Sequence, residues 1–310
     1  MKPLRAAVRD YLALRRTLGF KLRDAENSLF KFVTFLEERG FSSISRAMAL
    51  EWAFSEPATC AGSIANRLRH LRGFARHHLA IDPRTEIPPV DLVPSRLRRR
   101  QPYLYSDEQL RRLMGCALTL APADGLRPLT YYCFLGLLGA TGLRLSEAIR
   151  LDVDDVDLDQ SVLTIRQTKF GKSRLVPVDD TTTSELARYR ARRDRFVRGS
   201  PQCRFFVSGR GTPLESSSVR RTFYQLLDQA EVHVPAGTPR PRLHDLRHRF
   251  ALETLLRWYR AGEDVERRLP ALSTYLGHVC IENTYWYLSA CPELMGHALA
   301  RFEQRWEERP

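Results

Sequence analysis

The sequence lacks any apolar run long enough to cross a bilayer. Its longest apolar stretch, residues 131–140, is about half of the ~20 residues that a transmembrane helix requires, and it contains two glycines. No charged-then-apolar signal segment begins the chain, because arginines at positions 5, 9, 15 and 16 interrupt the first helix pattern. We therefore expect no membrane partner and a location in the cytoplasm.

Cysteine pairs of the CxxC type are missing as well. The six cysteines are scattered along the chain, a pattern that argues against a zinc cage or a disulfide framework and predicts reduced, mostly buried thiols. The sequence also has no Gly-rich Walker loop, no carboxylate cluster of metal-binding type and no internal repeat. We expect a protein that works without a cofactor, a metal ion or ATP.

Basic charge is what the chain has in excess. Its 310 residues carry a formal net charge of +13, and the length predicts about two domains of roughly 100–200 residues. Residues 1–100 hold 19 Lys and Arg against 10 Asp and Glu, while the remainder holds 30 against 26. The charge predicts a polyanionic partner, and arginine favours forked contacts with phosphates and guanine edges. A high-GC codon bias would enrich arginine in the same way.

Residues 1–82 are predicted to form a helical domain. Apolar residues recur at three- and four-residue steps in four stretches, and Gly19 and Gly40 mark helix ends. The fourth helix carries arginines along its outer side, which either bind DNA or are simply solvated. These candidates are Arg67, Arg69, Arg72 and Arg76.

Residues 83–103 are predicted to be a linker between two domains. Four prolines break the helix pattern there, and a basic run follows at residues 96–100. The run offers four candidates for contact with a phosphate backbone, Arg96, Arg98, Arg99 and Arg100. A capping box of Ser106 and Gln109 then predicts the first helix of a second domain, residues 104–291.

The second domain is predicted to be helical with a small sheet in its middle. Alternating stretches at 153–158, 161–167 and 174–178 predict three antiparallel strands, with Lys169 near the tip of the last hairpin. Helices are predicted over residues 129–138, 182–196, 216–230, 245–259, 269–275, 282–287 and 292–307. The fold class is therefore mainly α with a small antiparallel β-sheet (α+β).

Six polar residues follow one another in an order that suits phosphodiester chemistry. They are Arg144, Lys169, His244, Arg247, His278 and Tyr287. Guanidiniums neutralise phosphate oxygens, histidine and lysine move protons, and a phenol can attack phosphorus. Taken singly, each residue has an ordinary explanation, such as a helix cap, a solvated turn or aromatic packing. Together they predict a chain that cuts and rejoins DNA.

The segments that hold these residues resemble the signature of a known family. TGLRLSE, TKFGKSR, LHDLRHRF, LGH and the tyrosine nine residues later are similar to the motifs of the tyrosine recombinases, the phage-integrase and Xer family. The resemblance covers the whole chain. It implies a core-binding domain at 1–82, a catalytic domain at 104–291 and a helical tail at 292–310 that docks on a neighbouring protomer. The alternative for the tail is that it folds back onto its own domain.

The resemblance also implies roles for the six residues. Arg144, Arg247 and His278 would stabilise the charge on the phosphate. Tyr287 would be the nucleophile and form a 3′-phosphotyrosyl bond, which preserves the energy of the diester. His244 would accept the phenolic proton of Tyr287.

Further roles belong to the hairpin and to a supporting carboxylate. Lys169 would donate a proton to the departing 5′-oxygen, and Glu147 would support the neighbouring catalytic arginine. Lys172 and Arg174, on the same hairpin as Lys169, are predicted to contact DNA, and Lys172 is the alternative donor of the proton to the 5′-oxygen.

The implied partners are double-stranded DNA with short inverted half-sites and further copies of this chain, as a tetramer on paired sites. A second, related recombinase or an accessory protein is a further partner that the resemblance allows. The implied location is the nucleoid of a prokaryotic cytoplasm.

Departures from the family pattern point toward a mobile element. The interval between Arg247 and Gly277 is longer than in compact Xer members, and no arm-binding segment precedes the core-binding helices. Two other functions stay open at this point: a type IB topoisomerase, which shares the chemistry, and a DNA-binding protein of this fold without catalysis.

Overall fold

The computed structural model describes residues 3–55, 61–90, 101–166, 173–197, 202–232, 234, 237–238, 240–288, 293–296 and 299. The chain divides into two compact units, Met1–Arg100 and Gln101–Pro310. Helices dominate both, as the sequence predicts. None of the helices among these residues combines the length and the apolar character that crossing a bilayer requires.

Four helices make up the described part of the first unit. They are α1 (Leu4–Thr17), α2 (Arg23–Glu38), α3 (Arg46–Ser55) and α4 (Ala61–His78). Their apolar faces meet in one core, where Phe32, Leu36 and Phe74 are completely buried. The ring of Trp52 packs edge-on against Phe32, with the centroids 5.1 Å apart. The four predicted helices are confirmed.

The first unit extends further along the chain than the predicted boundary at residue 82. The backbone N–H of Glu86 donates to the carbonyl of Ile44 at 2.8 Å, and its carboxylate accepts from the N–H of Arg46 at 2.7 Å. The prolines of residues 83–90 prevent a helix, but they do not prevent packing. Residues 91–100, with the four arginines of the predicted linker, lie outside the described residues.

The predicted outward row of arginines on α4 needs correction at two positions. Arg67 and Arg72 are half-buried, because their guanidiniums donate to the carbonyls of Ala53 at 2.9 Å and Pro89 at 3.0 Å. Both contacts lie within the first unit and tie α4 to neighbouring segments. Arg69 and Arg76 are exposed, as predicted.

The second unit begins with α5 (Asp107–Leu118), α6 (Arg127–Thr141) and the short α7 (Leu145–Ile149). The predicted capping box is present: the Ser106 hydroxyl accepts from the Gln109 N–H at 3.1 Å, and the Gln109 side chain accepts from Ser106. Helix α6 is buried on nearly all sides and ends at Gly142, whose φ is 61°. A Cβ at Gly142 would lie 2.7 Å from the ring of Phe250, so this turn requires glycine.

A three-stranded antiparallel sheet follows, in the order β1-β2-β3. The strands are β1 (Val156–Asp157), β2 (Val162–Ile165) and β3 (Arg174–Pro177), and Leu163 pairs with both Val156 and Val176. The first strand is shorter than predicted, because Val153–Asp155 forms a turn of 3₁₀ helix. Residues 167–172, which include Lys169 and Lys172, lie outside the described residues.

The rest of the described second unit is helical. It contains α8 (Asp180–Phe196), α9 (Ser216–Gln229), α10 (Leu243–Arg260), α11 (Val265–Leu276) and α12 (Glu282–Leu288). Helix α11 begins four residues before the predicted Leu269, because the Asp264 carboxylate caps it by accepting from the Arg267 N–H at 3.2 Å. Pro270 lies inside this helix rather than at its start.

The predicted tail helix is described only at residues 293–296 and 299, which are helical. Leu294 was expected on a face that docks on a neighbour, but it is buried in a cluster with residues of α10, α11 and α12. Next to it, the Glu293 carboxylate pairs with Arg260 at 2.5 Å. The tail therefore starts on its own protomer. Met295 and Leu299 are exposed.

Candidate active site

Five of the six predicted catalytic residues lie on elements that meet in the second unit. Arg144 is the N-cap of α7, and His244 and Arg247 occupy the first turns of α10. His278 follows the end of α11, and Tyr287 lies on α12. Lys169 is outside the described residues, so its prediction has no structural counterpart here.

Arg144 is held from two sides. Its Nη1 donates to Glu147 Oε1 at 2.7 Å, and its Nη2 donates to the carbonyl of Gly277 at 2.7 Å. The backbone N–H of Arg144 also donates to Glu147 Oε2 at 3.0 Å. The predicted support of Arg144 by Glu147 matches this geometry. About a quarter of the Arg144 side chain (27%) stays accessible, so the guanidinium faces the surface with donors still available.

Arg247 is buried beside the C-terminal ends of α6 and α11. Its Nη1 donates to the carbonyl of Gly142 and its Nη2 to that of Leu276, both at 2.7 Å. Burial and the positive charge of Arg144 lower the pKa of Arg247 to about 10. The carbonyl groups at the C-terminal ends of α6 and α11 carry partial negative charge, which offsets the repulsion between the two guanidiniums.

Glu147 forms ion pairs with two arginines, Arg144 and Arg174. Arg174, on β3, donates to both carboxylate oxygens, at 3.1 Å and 2.9 Å, and its Nε donates to the carbonyl of Tyr275 at 2.7 Å. Burial would raise the pKa of Glu147, but the hydrogen bonds and charges of Arg174 and Arg144 outweigh it and lower the pKa to about 2. The carboxylate therefore stays ionised.

Arg174 has a different place from the DNA-facing one predicted for it. Its side chain is only 9% exposed, and all three of its guanidinium nitrogens donate within the protein. Gly277 makes this possible: its φ is 67°, and a Cβ there would lie 2.6 Å from Arg174 Nη1. The side chain of Arg174 thus connects the sheet to α7 and to the end of α11.

The candidate nucleophile, Tyr287, is almost completely buried. It is 2% exposed, and its ring stacks near that of His278 at a centroid distance of 6.1 Å. The Nδ1 atom of His278 lies 2.7 Å from the hydroxyl of Thr284, which fixes the imidazole against α12. Tyr287 and His278 are therefore neighbours, as their nine-residue spacing predicts.

The phenol of Tyr287 contacts a histidine that the sequence prediction did not use. Its hydroxyl lies 3.2 Å from Nδ1 of His248, whereas the predicted proton acceptor, His244, reaches the surface one turn earlier on α10. Partial desolvation and the charge of Arg247 lower the pKa of His244. A signal was present in the sequence, because two histidines four residues apart share one face of a helix.

Comparison with known proteins shows the family and the fold. The phage integrase family profile matches residues 104–293. A putative integrase/recombinase of Sinorhizobium fredii is 47% identical over the full length of both chains. The tyrosine recombinase XerD of Mycobacterium tuberculosis is 31% identical, with 90% of each chain covered. In fold, the chain is similar to the Tn1549 transposon integrase solved with transposon right end DNA, with a TM-score of 0.68, 18% identity, and 96% of this chain and 98% of that chain covered.

The family profile covers more than half of the chain, and the first two relatives match it almost from end to end. The resemblance inferred from the motifs is thereby confirmed. The chain belongs to the phage integrase family, the tyrosine-type site-specific recombinases.

Proposed function

We propose that this protein recombines DNA at specific sites of a mobile element, by cleaving and rejoining strands through a 3′-phosphotyrosyl intermediate. The observation that carries the proposal is the gathering of Tyr287, His278 and two arginines from four separate elements into one cluster. A tyrosine that only packs in the core would not require two nearby guanidiniums with hydrogen-bond donors directed to the surface. A phosphate under attack needs that set.

The proposed reaction balances without an external energy source. The Tyr287 oxygen attacks the phosphorus, the bond to the 5′-oxygen breaks, and the phenolic proton passes to His244. Lys169 supplies the proton that the departing 5′-oxygen takes up. Arg144 and Arg247 bind the non-bridging oxygens, on which negative charge builds up. A 5′-hydroxyl from the partner strand then attacks the phosphotyrosine and reverses these steps.

The proposed partners are double-stranded DNA with short inverted half-sites and three further copies of this chain. Strand exchange between two duplexes with two half-sites each requires four protomers. The names of the relatives, an integrase/recombinase and a transposon integrase among them, support the context of a mobile element. A second recombinase or an accessory protein fits the same scheme, as does the nucleoid of a prokaryotic cell.

The test compares two tyrosines that lie two residues apart on α12. Target duplexes are first selected from a random pool with the full-length protein, then nicked to trap the covalent intermediate. Tyr287→Phe should abolish the protein–DNA adduct and leave binding intact. Tyr285→Phe, at a side chain that is 47% exposed, should retain the adduct.

Three outcomes would contradict the proposal. An adduct that persists in Tyr287→Phe and vanishes in Tyr285→Phe would move the nucleophile. A protein that forms the adduct on a single duplex and relaxes supercoils, but never joins two sites, would be a topoisomerase instead of a recombinase. A protein that binds DNA without any adduct would be a member of the fold without catalysis.

A further inference from the structure

His248 has no role in the proposed reaction, yet it touches the reacting atom. It lies on α10, one turn after His244, and is half-buried. Its Nδ1 is 3.2 Å from the hydroxyl of Tyr287 on α12. Since Tyr287 is 2% exposed, this hydrogen bond is formed out of bulk water, where its geometry fixes the direction of the phenolic oxygen.

The ring of His248 is itself held in place by its neighbours. His244 packs edge-on against it at a centroid distance of 4.7 Å, and Trp286 does the same from α12 at 5.3 Å. The rings of His248 and Tyr287 are 5.5 Å apart and inclined by 60°. A ring confined on three sides presents its Nδ1 in one direction, toward Tyr287.

We propose that His248 is a positioning residue for the nucleophile, whose Nδ1–H donates a hydrogen bond to the Tyr287 oxygen and holds it beside Arg247 and His278. The inference rests on the proposed recombinase function. A neutral imidazole has one donor and one acceptor nitrogen, so this role requires the tautomer with the proton on Nδ1. The phenolic proton then stays available for His244, and the donated hydrogen bond fixes the direction of the oxygen for attack.

Holding the hydroxyl is a different task from taking its proton. Burial and the neighbouring His244 lower the pKa of His248 to about 3, and Arg242, Arg247 and His278 add to the same effect. A ring in these surroundings stays neutral and resists a proton. The pKa of His244 is also lowered, to about 4, so its proposed role as the acceptor rests on its exposed position, where the phosphate would arrive.

Two substitutions of His248 distinguish the contribution of its Nδ1 from that of its aromatic ring. His248→Phe keeps an aromatic ring between His244 and Trp286 but removes the hydrogen-bond donor. His248→Asn loses the ring but keeps a polar atom near the position of Nδ1. The measurement is the first-order rate of adduct formation by the full-length protein at saturating concentration on the selected nicked duplex, with Tyr285→Phe as the control.

The asparagine variant should retain the rate within about threefold, and the phenylalanine variant should be slower by about tenfold or more, with unchanged affinity for the duplex. Equal rates for wild type and His248→Phe would overturn the proposal. So would a slow asparagine variant beside a fast phenylalanine variant, or two equally slow variants, because each indicates ring packing rather than the nitrogen.

A measurement without DNA keeps this inference separate from the proposed function. In protein labelled with ¹⁵N-histidine, the Nδ1 resonance of His248 should move when Tyr287→Phe removes the hydroxyl. A resonance that stays in place would overturn the hydrogen bond even if both His248 variants fail to fold. If the wild type forms no adduct on any duplex, the recombinase proposal fails, and this measurement still decides the role of His248.

Discussion

At the scale of single residues, Glu147 determines whether the candidate site can hold its charges. Its side chain is 2% exposed and lies between Arg144 and Arg174. Removing one partner from a buried ion pair leaves the other charge without compensation, which costs far more than the pair itself contributes. The carboxylate is therefore the position at which a change of one atom should have the largest effect.

Glu147→Gln keeps the size of the side chain and removes its charge. We expect the free energy of unfolding to fall by about 3 kcal/mol or more in urea titrations. The matched control is Glu185→Gln, which removes an exposed ion pair with Arg188 in the same unit and should cost less than about 1 kcal/mol. Similar losses for the two variants would contradict the central place of Glu147.

The same variant should change the response to acid. The pKa of Glu147 is lowered from 4.5 to about 2 in the folded protein, so its ionisation stabilises the fold fully above pH 4.5. This contribution is lost as the pH falls from about 4.5 toward 2. The difference in stability between wild type and Glu147→Gln should shrink across that window and stay constant above it.

Sequence motifs predicted most of the candidate residues but not their contacts. The spacing around Arg144 and Glu147 is local, three residues within a helix start, so the pair could be inferred from the sequence. Arg174 and His248 meet their partners across 27 and 39 residues, on other elements. No periodicity within one segment reports such contacts, and Arg174 was accordingly predicted to face DNA.

At the scale of elements, the turn after α11 determines how β3 approaches the site. Gly277 and Gly262 both adopt positive φ, 67° and 70°, after helices α11 and α10. A Cβ at Gly277 would collide with the Arg174 guanidinium, whereas nothing lies within 4 Å of one at Gly262. The two glycines therefore share the backbone requirement, and only Gly277 of the two combines it with a close approach.

Comparing Gly277→Ala with Gly262→Ala should thus distinguish the effect of backbone strain from the effect of displacing the Arg174 side chain. Each should lose about 1 kcal/mol or more of stability to the left-handed conformation. Only Gly277→Ala should also slow adduct formation, because it pushes Arg174 away from Glu147 and releases Arg144. Equal rates of adduct formation in the two variants would show that the approach of β3 does not matter for the reaction.

The tail is the element in which sequence and structure differ most. An apolar face on residues 292–307 predicts docking, but the pattern does not say against which surface the face packs. Leu294 is 1% exposed in its own protomer, while Leu299 is 59% exposed. The two leucines are five residues apart, which is about 140° around a helix, so the residues assigned to one apolar face spread over two sides of the tail.

Two leucine substitutions test whether the buried and the exposed leucine of the tail have different roles. Leu294→Ala should destabilise the isolated protein by about 2–5 kcal/mol, because it leaves a cavity between α10 and α12. Leu299→Ala should leave thermal stability unchanged and weaken cooperative occupancy of paired half-sites, measured by gel shift. Loss of stability in Leu299→Ala, or unchanged cooperativity, would contradict docking through the exposed part of the tail.

At the scale of the whole molecule, the charge is divided unevenly between the two units. Residues 1–100 carry 19 basic against 10 acidic residues, and the described arginines are not equivalent. Arg69 and Arg76 are exposed, while Arg5 and Arg39 pair with carboxylates on neighbouring helices. The sequence predicted the total charge, but it could not show which side chains are engaged in pairs.

The dependence of DNA binding on salt should distinguish these arginines. Each phosphate contact contributes about −0.9 to the slope of log K against log salt concentration. The double variant Arg69→Gln and Arg76→Gln should reduce the slope by about 1.8. The control with Arg5→Gln and Arg39→Gln should leave it unchanged, and equal slopes in both double variants would argue against contacts through α4.

Leu294 brings the chain back to its own protomer seven residues after Tyr287. Seven residues span at most about 25 Å, and both ends of this segment are buried in the same cluster. Tyr287 and the other candidate residues that the structure describes therefore lie within one protomer. In the proposed tetramer, a lesion in one copy would silence one of four strand cuts and leave the remaining three intact.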